Sequence, residues 1–519
     1  MSFNFQNIFS GETYRDRVLL FAAALFFHVL FWTVAPVYFL PSYQIDTMEM
    51  LVIGRNWMIS TFKHPAFNAW VVEILSLIFN RADFVPYLAS QISCFLSVFV
   101  VWKFAQKILS PKLALLASLT LLSYLYFNYD STIYNNRTFM RFFWLLSVYF
   151  LYLALENGKK RYWILTGISL GLGVYCKFTI GVLIFAILIF MFFETRARRY
   201  WRTIGPYLSI GVCFFLVLPL LIWMVQNHFQ QFNYMFNSIG KTQPKFIDHF
   251  LSPFLFFVGQ IPFVAILLIP VYPVIGFRWR FDFTKYWSDV SGRFLLFFIF
   301  VPFLLQLIIA LIFAGDMRAA LGCHLWLLLP MFLLYALNIP ASHEVKFPQA
   351  MKCVFANIFI FVAIMALVVQ FSPVITGRAS RCHFPHIELT QSVQEAWTSR
   401  CSGKLPFVRG DDYLTETVAV ELRPDTNVYS NLWSNEEEFR KRGGVLLWLI
   451  GEDGKPPKKS IKGCFGNRDF GYSSETGRPD DWLKQFPDAE ILPELELAPK
   501  TIVKVPPIKI GIAVVPPKL

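Results

Sequence analysis

Long apolar runs alternate with short charged segments from near the N-terminus to about residue 373, and there the alternation stops. Runs of ~18 or more apolar residues suit a helix that crosses a bilayer, because inside hydrocarbon every backbone group must find its partner within the segment. Eleven such runs fit the pattern: 18–40, 84–105, 111–127, 138–156, 162–176, 178–194, 205–226, 253–275, 293–313, 323–339 and 351–373. The two flanking Lys177 are short and suit tilted or re-entrant segments. The opening stretch MSFNFQNIFSGETYRDR is polar and no small-residue cleavage site follows the first run. Residues 18–40 are therefore expected to be a retained signal anchor.

Residues 374–519 read differently: charged, Pro-rich and punctuated by Gly. Gly444 to Ile450 and Ile508 to Val515 have the short continuous apolar character of buried strands, and Glu388 to Trp397 that of a helix. The 146 residues of this part suffice for one small α/β domain with its own core. The expected architecture is an all-α polytopic membrane protein with about 11 transmembrane helices over residues 1–373. A C-terminal α/β domain over residues 374–519 follows it.

Composition excludes a soluble globule: 56% of residues are hydrophobic and the mean hydropathy is +0.50. The net charge of +13 is unevenly spread. Residues 374–519 hold 20 basic and 20 acidic residues, leaving 27 basic and 14 acidic in the membrane part. A basic pI also suits nucleic-acid binding, but here the cations lie in short loops between spans, where they set topology. One set of loops carries Lys103, Lys107 and Lys112; Lys159, Lys160 and Arg161; Arg196, Arg198, Arg199 and Arg202; Arg278, Arg280 and Lys285. That set is expected in the cytoplasm, with the N-terminus, so an odd number of spans exports the C-terminal domain.

The opposite loops then hold Asp46, Glu49, Lys63, His64, Asp130, Arg137, Lys177, His228, His249, Asp316 and Arg318. Ionisable groups gathered on one side of a bilayer mark a functional cavity by default. No GxGxxG, P-loop, zinc-type Cys/His spacing or GxSxG occurs, which leaves a cytoplasmic nucleotide-sugar site or an ATP-driven pump without support. The densest of these loops is Ile45 to Trp70. Asp46 and Glu49 stand three apart and share a helix face. Phe62-Lys63-His64-Pro65 and then Trp70 follow, and Pro65 ends any helix there.

Asp-x-x-Glu, then Lys-His-Pro, then Trp resembles the first periplasmic loop of bacterial polytopic glycosyltransferases of the GT-C superfamily. These are the family 39-like enzymes related to the lipid A aminoarabinose transferase, the rhizobial galacturonosyltransferases and protein O-mannosyltransferases. Ala66-Phe67 replaces the Pro-Leu usual after Lys-His-Pro. GLGVYCKFT around Lys177 is similar to the family's G-L-G-x-x-x-K-[YF], and Asn135-Asn136 before the aromatic fourth span to its sugar-facing loop. His383-Phe384-Pro385 and Leu405 to Asp411 resemble its C-terminal domain. The resemblance implies a GT-C fold with a periplasmic C-terminal domain, in the bacterial inner membrane.

It also implies chemistry. A polyprenyl-phosphate sugar offers an anomeric carbon with a phosphate leaving group. Transfer needs a carboxylate to take the acceptor proton, cations for the phosphate, and a cavity open to lipid. Asp46 matches the family's loop acid and is the implied base. Glu49 orients the acceptor, holds a metal, or is a helix-capping partner. Lys63 and His64 would meet phosphate or sugar. Lys177 reads as a snorkelling anchor by itself and as a phosphate ligand through the motif. Asn135, Asn136 and Arg137 join the substrate-binding set, with Arg318 as a further cation. Arg137 and Arg141, one turn apart, either grip phosphate or anchor at the interface. In the aminoarabinose branch an acid before the Lys helps bind a metal. Phe62 stands there in this chain, so no metal ligand is assigned, although a divalent ion stays open.

The implied partners are the lipid-linked donor, a lipid or cell-envelope glycan acceptor such as lipid A or lipopolysaccharide core, and the bilayer, with no nucleic acid. Protein O-glycosylation, or a transporter or lipid flippase, are the alternatives. A transporter tends to show two similar halves, and this chain has none. Five of the eight cysteines sit in apolar surroundings. Cys382, Cys401 and Cys464 lie in the exported domain, where one disulfide can form, and Cys382–Cys401 closes the shorter loop.

Overall fold

The computed structural model describes residues 5–239, 244–276, 289–315, 317–337, 339, 341–423, 427–432, 436–451 and 483–518. A short helix α1 (Phe5–Ser10) leads into α2 (Tyr14–Phe39), which starts on a capping box between Thr13 and Asp16. Two helices too short to span, α3 (Ile45–Arg55) and α4 (Phe67–Ile78), follow it. Then come α5 (Val85–Ala105), α6 (Pro111–Thr120), α7 (Thr138–Asn157), α8 (Lys160–Cys176) and α9 (Ile180–Phe193). After the small turn helix α10 (Thr195–Arg198) stand α11 (Gly205–Gln226), α12 (Gln230–Ile239) and α13 (Asp248–Ile275). The bundle is completed by α14 (Val290–Phe313), α15 (Leu329–Ala336) and α16 (Phe347–Thr376).

Every stretch expected to span contains a helix, but the lengths differ. Seven helices among the described residues are long and apolar enough to cross, and α9 with the turn after it makes an eighth if a bend of 86° is counted within one span. The 323–339 stretch gives only the eight residues of α15. The reason is polar. Gln260 of α13 accepts from Trp326 Nε1 at 3.1 Å and donates to the Ala319 carbonyl at 3.0 Å, and Gln306 meets His324 at 3.1 Å. These side chains hold residues 319–328 as turns inside the bundle. Between α8 and α11, Gly167 and Gly171 stand four apart and let the backbones close. A Cβ on Gly167 would lie 2.5 Å from the Ser209 carbonyl.

Ion pairs sort the ends of the bundle. Lys112 Nζ lies 2.6 Å from Glu12, Arg293 Nη2 2.9 Å from Glu194, and Tyr200 donates to the Leu155 carbonyl at 3.0 Å. The basic loops around Lys112, Lys159 to Arg161 and Arg196 to Arg202 therefore gather at one end, while Arg278, Arg280 and Lys285 lie outside the described residues. At the other, Trp32, Ala35 and Leu40 of the first span pack with Met365, Val369 and Cys382.

Beyond α16 the chain forms α17 (His386–Thr398), β1 (Val408–Gly410), α18 (Asp412–Glu421), α19 (Glu436–Arg442), β2 (Gly444–Ile450), β3 (Glu490–Ile491), β4 (Leu495–Leu497) and β5 (Ile508–Val515). Helix, β2 and β5 fall where the apolar pattern put them. The sheet order is β1-β2-β5-β3 with β4 also on β5; β1 and β2 are parallel, and the other pairs antiparallel. The Cys382–Cys401 pairing is corrected: Cys382 is disulfide-bonded, whereas Cys401 is a free thiol. The thirteen residues of α17 lie between the two. A helix of that length spans ~20 Å, and a disulfide tolerates only about 7 Å between Cα atoms. Cys464 lies outside the described residues.

Candidate functional site

The site grows from α3. Asp46 falls in its first turn, where the helix dipole favours a carboxylate, and Glu49 follows one turn on. Asp46 is half-buried and Glu49 buried. The close seat of α3 on α4 depends on Gly54, since a Cβ there would meet the Ala69 carbonyl at 2.4 Å.

Lys63 Nζ donates to Glu49 Oε1 at 2.8 Å, with side-chain exposures of 13% and 9%. The loop carrying Lys63 is pinned from several sides. Thr61 Oγ1 accepts from the backbone N–H groups of Lys63 and His64 at 3.2 and 3.1 Å. Gln231 of α12 donates to Ser60 Oγ at 3.1 Å and to the Thr61 carbonyl at 3.0 Å. Tyr234 of the same helix meets the His64 ring edge-on at 5.7 Å. Burial works against the Lys63 charge, but Glu49 and Asp412 outweigh it and raise its pKa. For Glu49, burial outweighs Lys63 and raises the carboxyl pKa, with Asp46 adding to the rise. Burial, then the nearby Lys177, Lys63 and Arg137, hold His64 well below the usual imidazole range, so it stays neutral at pH 7.

The second wall is the turn before α7. Asn135 Oδ1 accepts from the Arg137 backbone N–H at 2.9 Å and from its Nε at 3.4 Å. The Asn136 carbonyl accepts from Asn68 Nδ2 at 3.1 Å, and Asn68 Oδ1 accepts from the Phe139 N–H at 3.0 Å. Asn68, in the first turn of α4, therefore ties the Lys-His loop to the Asn-Asn turn. Asp130 lies 3.6 Å from both Arg137 and Arg141. Arg141 is buried and donates to the Tyr126 carbonyl at 2.7 Å.

Lys177 caps the C-terminal end of α8. Burial lowers its pKa to about 8, with Arg137 and Arg318 adding to the fall and Asp46 opposing it. Asp46 also acts on Arg137. Asp46, His64, Arg137, Lys177 and Arg318 thus share one electrostatic neighbourhood, although they come from positions up to 272 residues apart in sequence. Arg318 is exposed, just before the turn Ala319–Gly322.

Not every expected residue joins this group. Lys63 faces Glu49 rather than standing open beside Lys177. His228 is exposed at a left-handed turn (φ 51°), and His249 Nδ1 meets the Leu311 carbonyl at 2.7 Å. Asp316 lies outside the described residues. Among the described residues, no three His, Cys, Asp or Glu side chains gather as metal ligands.

The largest addition comes from beyond the bundle. Helix α18 packs on α3: Tyr413 and Ser42 hydroxyls meet at 2.9 Å, and Thr417 lies 3.6 Å from Met48 Sδ. Asn427 donates to Asn56 Oδ1 at 2.9 Å. Asp411 caps α18 through the Tyr413 and Leu414 N–H groups, and Asp412 accepts from Asn431 at 2.8 Å. Buried Glu416 accepts from Ser430 at 2.6 Å; burial raises its pKa to about 8, and Glu49 and Asp412 add to the rise. Arg381 stacks on Tyr413 at 4.7 Å, within the field of Asp411, Asp46 and Asp412. Only the Asp-Asp pair before an apolar run signalled this helix in the sequence, and nothing there tied it to Asp46.

Residues 63–223 match the family model for dolichyl-phosphate-mannose-protein mannosyltransferase. No curated protein matches the sequence. Two solved structures of ArnT from Cupriavidus metallidurans resemble the fold, each at 12% identity over 96% of this chain. The one bound to undecaprenyl phosphate has a TM-score of 0.55 over 98% of that chain, and the apo state 0.58 over 97%. The chain thus shares the fold of the ArnT structures, and its residues 63–223 carry the sequence pattern of the dolichyl-phosphate-mannose-protein mannosyltransferase family.

Proposed function

We propose that this chain is an inverting glycosyltransferase that moves a sugar from a polyprenyl-phosphate donor to a lipid or cell-envelope glycan. The acceptor class is that of lipid A or lipopolysaccharide core, at the periplasmic face of a bacterial inner membrane. The observation that carries the reading is the grouping of half-buried Asp46 with the cations Arg137 and Lys177. A base beside a phosphate-binding pair is what displacement at an anomeric carbon requires. The undecaprenyl phosphate in one ArnT structure supports the donor class.

Asp46 takes the proton of the acceptor hydroxyl. The acceptor oxygen bonds to the anomeric carbon, and the carbon–oxygen bond to phosphate breaks with its electron pair on the leaving group. Arg137 and Lys177, with Arg318 at the rim, bind that phosphate. Neutral His64 hydrogen-bonds the sugar. Asn135 holds Arg137 in place, and Asn136 is fixed beside it through Asn68. Glu49 and Lys63 brace α3. The family model's own description makes protein O-glycosylation the second reading.

The test is sugar transfer from a purified polyprenyl-phosphate donor at matched protein level. Asp46→Asn keeps the shape and removes the base, and a rate loss of ~10²–10⁴-fold is expected. Wild-type transfer by both Asp46→Asn and Asp46→Ala would take Asp46 out of the chemistry.

A further inference from the structure

The charges around Asp46 are not evenly spread. On the side of the Asn-Asn turn and α8 stand Arg137, Lys177 and Arg318. On the side of α3 and α18 stand Asp46, Glu49, Asp411, Asp412 and Glu416 against Lys63 and Arg381. Lys63 is already committed to Glu49. Arg381 is buried, stacked on Tyr413, and within the field of three aspartates. Asp412 is half-buried, with Oδ1 fixed by Asn431 at the start of a packed helix. The raised pKa of Glu416 has burial as its main cause, but it also reports the negative field of Glu49 and Asp412.

We infer, building on the transferase reading, that the α18 side receives the acceptor as an uncharged sugar hydroxyl and not as a phosphate, with Asp412 accepting hydrogen bonds from the acceptor's hydroxyls. An anionic acceptor group would be repelled by Asp46, Asp411 and Asp412, which outnumber Arg381, since Lys63 is paired with Glu49 and Glu416 keeps its proton at neutral pH. A sugar hydroxyl is a donor and suits them. The acceptor is lipid-borne. Beside α3, Ile74, Leu77 and Ile78 of α4 expose an apolar face, with Trp57 and Ile59 exposed at its rim. A membrane-anchored glycan can slide along that face to Asp46. Asp412 is a specificity residue in this arrangement, and the C-terminal region forms half of the binding site.

The test adds purified full-length enzyme to membranes from a strain lacking the gene, which supply the donor. Envelope lipid and glycan extract from the same strain is the acceptor, half of it treated with phosphatase. Mass spectrometry should find the sugar increment on lipid-borne glycan in both halves, through a linkage stable to the mild acid that cleaves glycosyl phosphates. Asp412→Asn should raise the half-saturating extract concentration at least ~10-fold with little change in the saturated rate, and Asp412→Glu should recover part of the loss. A product confined to the untreated half, an acid-labile linkage, an increment on protein, or unchanged half-saturation in Asp412→Asn would each overturn the inference. No increment from wild-type enzyme in any fraction would instead remove the transferase reading beneath it.

Discussion

Lys63 Nζ donates to Glu49 Oε1 at 2.8 Å, joining two residues 14 apart in sequence across the gap between α3 and α4. Both side chains are nearly buried, so the pair differs from a surface salt bridge. Removing one partner leaves a buried charge with nothing opposite it. Lys63→Met should therefore destabilise the protein by about 3–5 kcal/mol, and Lys63→Met with Glu49→Gln should recover much of that, as thermal unfolding in detergent can measure. The single variant should also lose stability as pH rises. Glu49 already folds with a raised pKa, and without Lys63 the shift grows. Its neutral form is favoured in the fold, so stability present at low pH is lost through the folded pKa. Equal stability of the single and double variants at all pH values would refute the pairing.

Lys177 has a lowered pKa of about 8 because burial and Arg137 oppose its charge. A lysine is cationic only below its pKa, so kcat/KM for the donor should fall as pH rises through about 8, that constant reporting the free enzyme. Lys177→Arg keeps the charge at high pH and should move the limb upward, at some cost in rate. Lys177→Met should lower turnover at least ~10-fold, as for one charge-assisted contact of ~1.5–3 kcal/mol, and remove the limb. An unchanged pH profile in Lys177→Met would make the residue an anchor.

Gly54 sits where α3 crosses α4, and an added Cβ would lie 2.4 Å from the Ala69 carbonyl and 3.0 Å from Glu73 Cβ. Gly54→Ala must push the helices apart. A loss of about 1–3 kcal/mol in stability is expected, in the range of overpacked cores. Transfer rate should fall further than stability alone explains, because Asp46 rides on α3. A variant that melts and turns over like wild type would detach α3 packing from the chemistry.

Among the described residues, the basic loops gather at one end of the bundle, with Lys112 on Glu12 and Arg293 on Glu194. Placed in the cytoplasm, they leave Asp46 and residue 518 outside. An alkaline phosphatase fused to the C-terminus should be active, and a fluorescent protein that folds only in the cytoplasm should stay dark there. The reverse pattern would move the whole cavity to the other side.

Much of this protein is written in one dimension. Crossing a bilayer demands long apolar helices, so the spans from Tyr14 to Phe39 and from Val85 to Ala105 stand out by composition alone. Strands β2 and β5 stand out as short apolar runs in a charged region. Asp46 and Lys177 stood out because they fall in family loop patterns, and Arg137 because it lies one turn from Arg141. What the sequence could not convey is who faces whom. Local pattern carries no term for pairing, and charge pairing is decided by distances that only the packed chain sets. Lys63 turns to Glu49 because α4 folds back under α3 at Gly54. Asp130 meets Arg137 and Arg141 because the turn before α7 closes on itself. Cys382 and Cys401 are held apart by a rigid helix that a loop-length argument treats as flexible chain. Asp412, 366 residues after Asp46, comes within the field of Glu49 and Lys63 only because α18 packs on α3 through Tyr413 and Thr417. Short-range preference makes the elements, and burial of long-range contacts chooses which of their polar groups meet.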